Sequence, residues 1–106
     1  MKNSWIGIDL DGTLAHYDGF QGEEIIGEPV PRMMNHLKKF LENKDTVKIF
    51  TARAGTIKGT AAVKKWLKKN GLPDIEVTNV KDYQMKRLYD DRAIRVEQNT
   101  GRLLGI

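Results

Sequence analysis

The sequence contains no cysteine. That absence removes a disulfide framework, a thiolate zinc site and a thiol nucleophile, and it fits a reducing compartment. Proline is scarce, at three residues, and no segment repeats, which excludes collagen-like and proline-rich chains. No apolar run approaches the roughly 20 residues that cross a bilayer. The opening MKNSWIGIDL has one lysine and no sustained apolar stretch, unlike a secretory leader. A cytoplasmic protein without membrane association is therefore the expectation. Acids are outnumbered, 14 against 18 Lys and Arg, for a net charge of +4. A modest lysine excess serves solubility and also admits an anionic partner. A chain of 106 residues is one domain's worth, so a single domain over 1–106 is expected.

The hydrophobic pattern alternates between two periods. Trp5, Ile6, Ile8 and Leu10 form a strand-like run that stops at the turn signal Asp11-Gly12. Residues 15–28 hold three glycines and few aliphatics, a loop long enough to suggest a functional role. Pro31 stands where a helix prefers its first residue. Met33, Met34, Leu37, Phe40 and Leu41 then mark one helical face that ends near Asn43. VKIFT over 47–51 reads as a second strand. A helix at about 58–70 carries Val63, Trp66 and Leu67 on one face and stops at Asn70-Gly71. Residues 75–78 form a short third strand. Asp82 is placed to cap one or two helical turns through Met85, and 87–89 form a fourth strand. Residues 93–96 and 102–104 flank a glycine turn and read as a C-terminal β-hairpin.

Strand, helix, strand, helix, strand predicts an α/β fold with a parallel sheet and right-handed crossovers. In such folds ligands bind beyond the carboxyl ends of the strands. Strand one ends in Asp9-Leu10-Asp11-Gly12-Thr13-Leu14, strand two in Thr51-Ala52-Arg53, and strand four in Asp90-Asp91-Arg92, with Lys81 just past strand three. Four carboxylates on one edge repel one another. A hard divalent cation resolves this, and Mg²⁺ takes carboxylates, waters and a substrate phosphate oxygen.

DLDGTL at 9–14 resembles the first motif of the haloacid dehalogenase superfamily of phosphohydrolases. Thr51, Lys81 and Asp90-Asp91 stand in the order and spacing of its second, third and fourth motifs, so the resemblance spans nearly the whole chain. It implies a Rossmannoid open parallel sheet with helices on both faces. It also implies a Mg²⁺-dependent phosphomonoester hydrolase acting through an aspartyl-phosphate. Asp9 would be the nucleophile. Asp11 would be the acid and then the base, its main-chain carbonyl also binding the metal. Gly12 or Thr13 amides would hold phosphate oxygens. Thr51 would donate a hydrogen bond to the phosphoryl group and Lys81 would offset its charge. Asp91 or Asp90 would complete the metal shell.

Lys86 competes with Lys81 for the cationic role, but it lies near the far end of strand four. Between Thr78 and Arg87 stand eight residues, fewer than the dozen or so that a parallel crossover usually needs. Arg53 and Arg92, just past strand ends, are candidate substrate contacts, as are His16 and Tyr17 in the loop. Lys58, Lys64, Lys65, Lys68 and Lys69 decorate the second helix without an acid among them. That stripe reads first as a solvated face and second as a nucleic-acid contact.

Neither gap between motifs is long enough for a folded cap domain, since 15–30 is 16 residues and Thr51 to Lys81 is 30. An open site suits a phosphate on a bulky carrier such as a nucleic-acid end. A similar compact arrangement, DDR stretch included, occurs in the 3′-phosphatase domains of polynucleotide kinases. Two further readings therefore stand beside the general phosphatase: a nucleic-acid end-processing enzyme, and a non-catalytic module that binds Mg²⁺ and phosphate.

Overall fold

The computed structural model describes residues 3–105. Strand β1 is Trp5–Ile8, and all four residues are buried, the mark of a central strand in a parallel sheet. Helix α1 is Pro31–Glu42, with proline in its first turn and no side chain capping its N-terminus. Strand β2 is Val47–Phe50. A short 3-10 turn over Ala52–Gly55 leads into helix α2, Ile57–Lys69. Thr56 caps α2, its Oγ1 accepting from the Gly59 N–H at 2.9 Å. Strand β3 is Glu76–Thr78 and β4 is Met85–Tyr89. Strands β5, Arg95–Val96, and β6, Leu103–Leu104, form the expected antiparallel hairpin.

The four-stranded sheet has the order β3-β2-β1-β4, and every neighbouring pair is parallel. All four carboxyl ends therefore lie along one edge. Ile6 pairs with Val47 and Ile8 with Ile49, so these four side chains share one face of the sheet. They belong to one core cluster with Met34 and Leu37 of α1 and with Val63, Trp66 and Leu67 of α2.

Helices on both faces were the expectation, and here the structure differs. Both helices pack on one face, because β1 to β2 and β2 to β3 step in the same direction and right-handed crossovers then fall on the same side. The return from β3 to β4 passes over the opposite face without a helix. Residues 79–84 cover that distance in an irregular path, which resolves the difficulty of the short connection. Asp82 caps no helix: its Oδ1 accepts from the Gln84 N–H at 2.8 Å and from Trp5 Nε1 at 2.8 Å. Strand β4 also begins at Met85, two residues before the expected start.

Trp5 covers the helix-free face. Its ring lies beside Phe50, with centroids 6.5 Å apart, and beneath the Lys48 ammonium at 4.5 Å. Gly7 makes room for it. A Cβ on Gly7 would stand 3.1 Å from Trp5 Cζ3, 3.1 Å from Leu88 Cδ1 and 3.2 Å from Met85 Cε. Gly7→Val is expected to destabilise the protein by about 1–3 kcal/mol through overpacking, read from denaturant unfolding. An unchanged midpoint would mean that the face repacks freely.

Candidate functional site

Leu10 and Leu14 are fully buried, so the chain leaving β1 is pulled back into the core while the residues between face the sheet edge. A close turn follows, with the Gly12 N–H donating to the Ala15 carbonyl at 2.8 Å. Gly12 has φ +90°, and a Cβ there would sit 2.6 Å from Asp91 Oδ2. Only glycine allows both the turn and the close approach of the Asp90-Asp91 segment. The Asp9 N–H donates to the Tyr89 carbonyl at 2.9 Å, which brings the ends of β1 and β4 into register.

Asp9, Asp90 and Asp91 converge. One carboxylate oxygen from each lies within 4.8 Å of the others. Thr13 joins them: its Oγ1 donates toward Asp9 Oδ2 at 3.3 Å and Asp91 Oδ1 at 3.1 Å, and accepts from the Asp91 N–H at 3.0 Å. The Asp9 carboxyl is pushed up to about 7 from an ordinary 3.8. Burial is the largest cause, followed by the charge of Asp90 and then the hydrogen bond and charge of Asp91; the Thr13 hydroxyl opposes them. Oxygen-only donors at this spacing are chemically suited to a hard divalent cation, to which each aspartate offers one oxygen.

The cavity beside the trio has a volume of about 340 Å³ and is lined by Asp9, Asp11, Tyr17, Phe20, Glu23, Thr51, Ala52, Arg53, Asp90 and Arg92. Thr51 is buried, and its Oγ1 accepts from the Arg53 N–H at 3.1 Å, which leaves its own proton to donate into the cavity. The Arg92 side chain makes no hydrogen bond or ion pair among the described residues, so its guanidinium remains open to an anion.

Two expected placements change. Arg53 was a candidate substrate contact, but its guanidinium is fully engaged. Nε donates to Asp11 Oδ2 at 2.8 Å and Nη2 to Asp11 Oδ1 at 3.0 Å. Nη1 donates to the carbonyls of Gly22 at 3.2 Å and Glu23 at 2.7 Å, and Nη2 to that of Ile25 at 2.9 Å. These five bonds use all five N–H donors of an arginine. Asp11 thus faces Arg53, and its carboxylate is not part of the trio; a metal role for Asp11 falls to its main-chain carbonyl.

Neither lysine lines the cavity. Lys86 pairs with Asp45 at 3.5 Å, just before β2 and so at the opposite edge of the sheet. Lys81 is exposed on the connection leaving β3 and has no ion pair among the described residues. His16 is likewise outside the cavity, exposed and paired with Asp18 at 3.1 Å, whereas Tyr17 lines it.

Phe20 and Glu23 were not among the residues expected at the site. Phe20 is 66% exposed and its ring lies 5.8 Å from the Arg53 guanidinium carbon. Glu23 Oε1 accepts from Thr56 Oγ1 at 2.6 Å. The available signal was an aromatic side chain isolated in a glycine-rich polar loop.

The raised Asp9 pKa gives a stability prediction for metal-free protein. Between about pH 4 and 7 the unfolded chain releases the Asp9 proton while the folded chain retains it, so stability falls as pH rises across that window. Asp9→Asn removes this loss. The substitution should be near neutral at pH 4 and stabilising by roughly 1–2 kcal/mol at pH 8, a figure reduced for the solvent screening of a half-buried group. Thermal melts in chelator at the two pH values decide it. Equal shifts at both would mean that the acidic cluster exerts no strain.

No family model matches the chain, and no curated protein matches it. Among solved structures it is similar to a conserved protein coded by a locus of Bacteroides thetaiotaomicron, with a TM-score of 0.61 and 22% identity, covering 83% of this chain and 75% of that one. The likeness is one of fold: a parallel α/β sheet.

Proposed function

We propose that the chain is a Mg²⁺-dependent phosphomonoester hydrolase that works through an aspartyl-phosphate on Asp9. One observation carries the reading: Asp9, at the carboxyl end of the central strand, faces Asp90 and Asp91 with an oxygen of each within 4.8 Å, beside a cavity that holds Thr51 and Arg92. A carboxylate kept in such company is costly, and the cost is intelligible where a cation and a phosphoryl group are to be held. When bound, the cation would neutralise the three carboxylates and the phosphoryl oxygens.

In this reading an Asp9 oxygen attacks phosphorus as the bond to the leaving oxygen breaks, and the departing oxygen takes a proton from Asp11. Water then attacks the phosphoryl group and gives Asp11 a proton. The Asp9–phosphorus bond breaks and inorganic phosphate departs, so one difficult displacement becomes two. Thr51 donates to a non-bridging oxygen, and the Arg92 guanidinium supplies positive charge at the cavity wall. Haloacid dehalogenase-type chemistry and a cytoplasmic setting are parts of the same proposal.

A narrower reading, cleavage at a nucleic-acid end, is favoured by one feature. A groove of about 460 Å³ on α2 is lined by Lys58, Lys65 and Lys69 and bounded by Glu24 of the same loop whose Glu23 lines the site. Phosphodiesters leaving the site would meet positive charge there.

A phosphate-release screen tests both readings, using small phosphomonoesters and 3′- and 5′-phosphorylated oligonucleotides at two salt concentrations. Turnover is expected with Mg²⁺, none in chelator, and none with Asp9→Asn. Substantial activity in Asp9→Asn would sink the mechanism. A preference for oligonucleotides that vanishes at high salt would select the narrower reading.

The two lysines separate cleanly. Lys81 leaves the functional edge unpaired, whereas Lys86 is tied to Asp45 at the other edge. Lys81→Met should lower turnover by at least about 100-fold, which requires the exposed Lys81 side chain to swing to a cavity that it does not line here, while Lys86→Met stays near wild type. The reverse order would place the catalytic cation on β4.

A further inference from the structure

Among the described residues Arg53 is one of three polar or charged residues that are buried, with its side chain only 6% exposed. Its backbone is fixed on two sides. The N–H is held by Thr51 Oγ1, and the carbonyl lies against the first turn of α2, where a Cβ on Gly59 would stand 2.1 Å from it. From that fixed base the guanidinium reaches two things: the carboxylate of Asp11, whose backbone after β1 already bridges to Ala15 at the start of the loop, and the carbonyls of Gly22, Glu23 and Ile25 farther along it. Other bonds fasten the loop to α2 and its cap. Glu23 meets Thr56, Glu24 lies 3.8 Å from Lys58, and the Gly27 carbonyl accepts from Trp66 Nε1 at 2.8 Å. None of these touches Asp11.

We propose that Arg53 is a positioning residue that makes the seat of the 15–28 loop and the seat of the Asp11 carboxylate one unit, so that the proton-transfer group is aimed only while the loop is docked. Without the guanidinium, the Asp11 carboxylate and the carbonyls of Glu23 and Ile25 lose the donor they share, and the Gly22 carbonyl keeps only the Ile25 N–H at 3.2 Å; part-buried acceptors stripped of a partner are destabilised. The loop and Asp11 would then move apart together. The reverse also holds. Without the Asp11 carboxylate, the guanidinium loses its bidentate partner and its charge balance, and its grip on the loop weakens. Lysine cannot substitute, because three donors on a point charge do not reproduce a planar fork aimed at five acceptors. Phe20 fits this role: docked by the same loop, it covers the guanidinium and walls the cavity.

The inference rests on the phosphatase reading for its chemical consequence and on geometry alone for the coupling, and two measurements keep these apart. The first is amide hydrogen exchange of the 22–26 segment in the full chain. Arg53→Ala, Arg53→Lys and Asp11→Ala should each speed exchange there by about 10-fold or more, the scale of losing a buried hydrogen-bonded anchor. Unchanged loop exchange in Asp11→Ala overturns the coupling, and this arm decides even if Arg53→Ala does not fold. The second is leaving-group dependence. An alkyl phosphate needs its departing oxygen protonated and a nitrophenyl phosphate scarcely does. Arg53→Ala should therefore lower kcat for the alkyl ester by about 100-fold and for the nitrophenyl ester far less, with guanidinium ion added to the buffer restoring part of the difference. Equal losses on both esters, without rescue, would reduce Arg53 to a structural residue and overturn the positioning role. If the wild type hydrolyses neither ester, the phosphatase reading fails, and loop exchange still decides whether Asp11 and the loop move together.

Discussion

Like charges do not gather unless something holds them, and here the hold is the burial of β1. Four successive residues without solvent exposure, flanked by Leu10 and Leu14 at full burial, leave the chain no freedom to withdraw Asp9 from Asp90 and Asp91. Burial first, and the charges of Asp90 and Asp91 after it, raise the Asp9 carboxyl to about 7. The rest of the edge is arranged around that constraint. Gly12 yields space to Asp91, Thr13 bridges the two acidic segments with one hydroxyl, and Arg53 removes Asp11 from the cluster by binding it elsewhere.

The division of labour among the acids follows from partners rather than from spacing. Asp9 and Asp11 are two residues apart, yet one faces carboxylates and the other a guanidinium. Two carboxylates in such unlike surroundings are suited to unlike tasks, and the proposed mechanism uses them so, Asp9 as nucleophile and Asp11 as a carrier of protons. The cations differ in the same way. Arg53 is consumed by the protein, Arg92 is left open to the cavity, and Lys86 is held at the far edge by Asp45.

Much of this was legible in the sequence, for identifiable reasons. The helices are bounded by strong signals, Pro31 at one start and Asn70-Gly71 at one end, and both fall within a residue or so of expectation. The acidic trio was legible because Asp9 stands at one strand end and Asp90-Asp91 at another. Strand β4 was drawn short because Met85 and Lys86 carry no strand pattern of their own; pairing of β4 with β1 makes them part of the strand. The sidedness of the helices depends on strand order, which no local pattern encodes. The partners of Arg53 were not legible because adjacency to Thr51 says nothing about where a long side chain ends, and they lie 28 to 42 positions away.

The pairing of β1 with β4 joins Trp5 to Met85 and Ile8 to Tyr89, contacts separated by some eighty positions in a short chain. Such contacts are entropically slow to form. During synthesis β1 emerges early and can settle against β2 and α1, but its other edge stays open until β4 has been made. The acidic centre therefore cannot exist in any partial chain, since two of its three aspartates arrive with the strand that closes the sheet. Asp9 waits, already in place at the end of its strand, for partners that are among the last parts of the sheet to be translated.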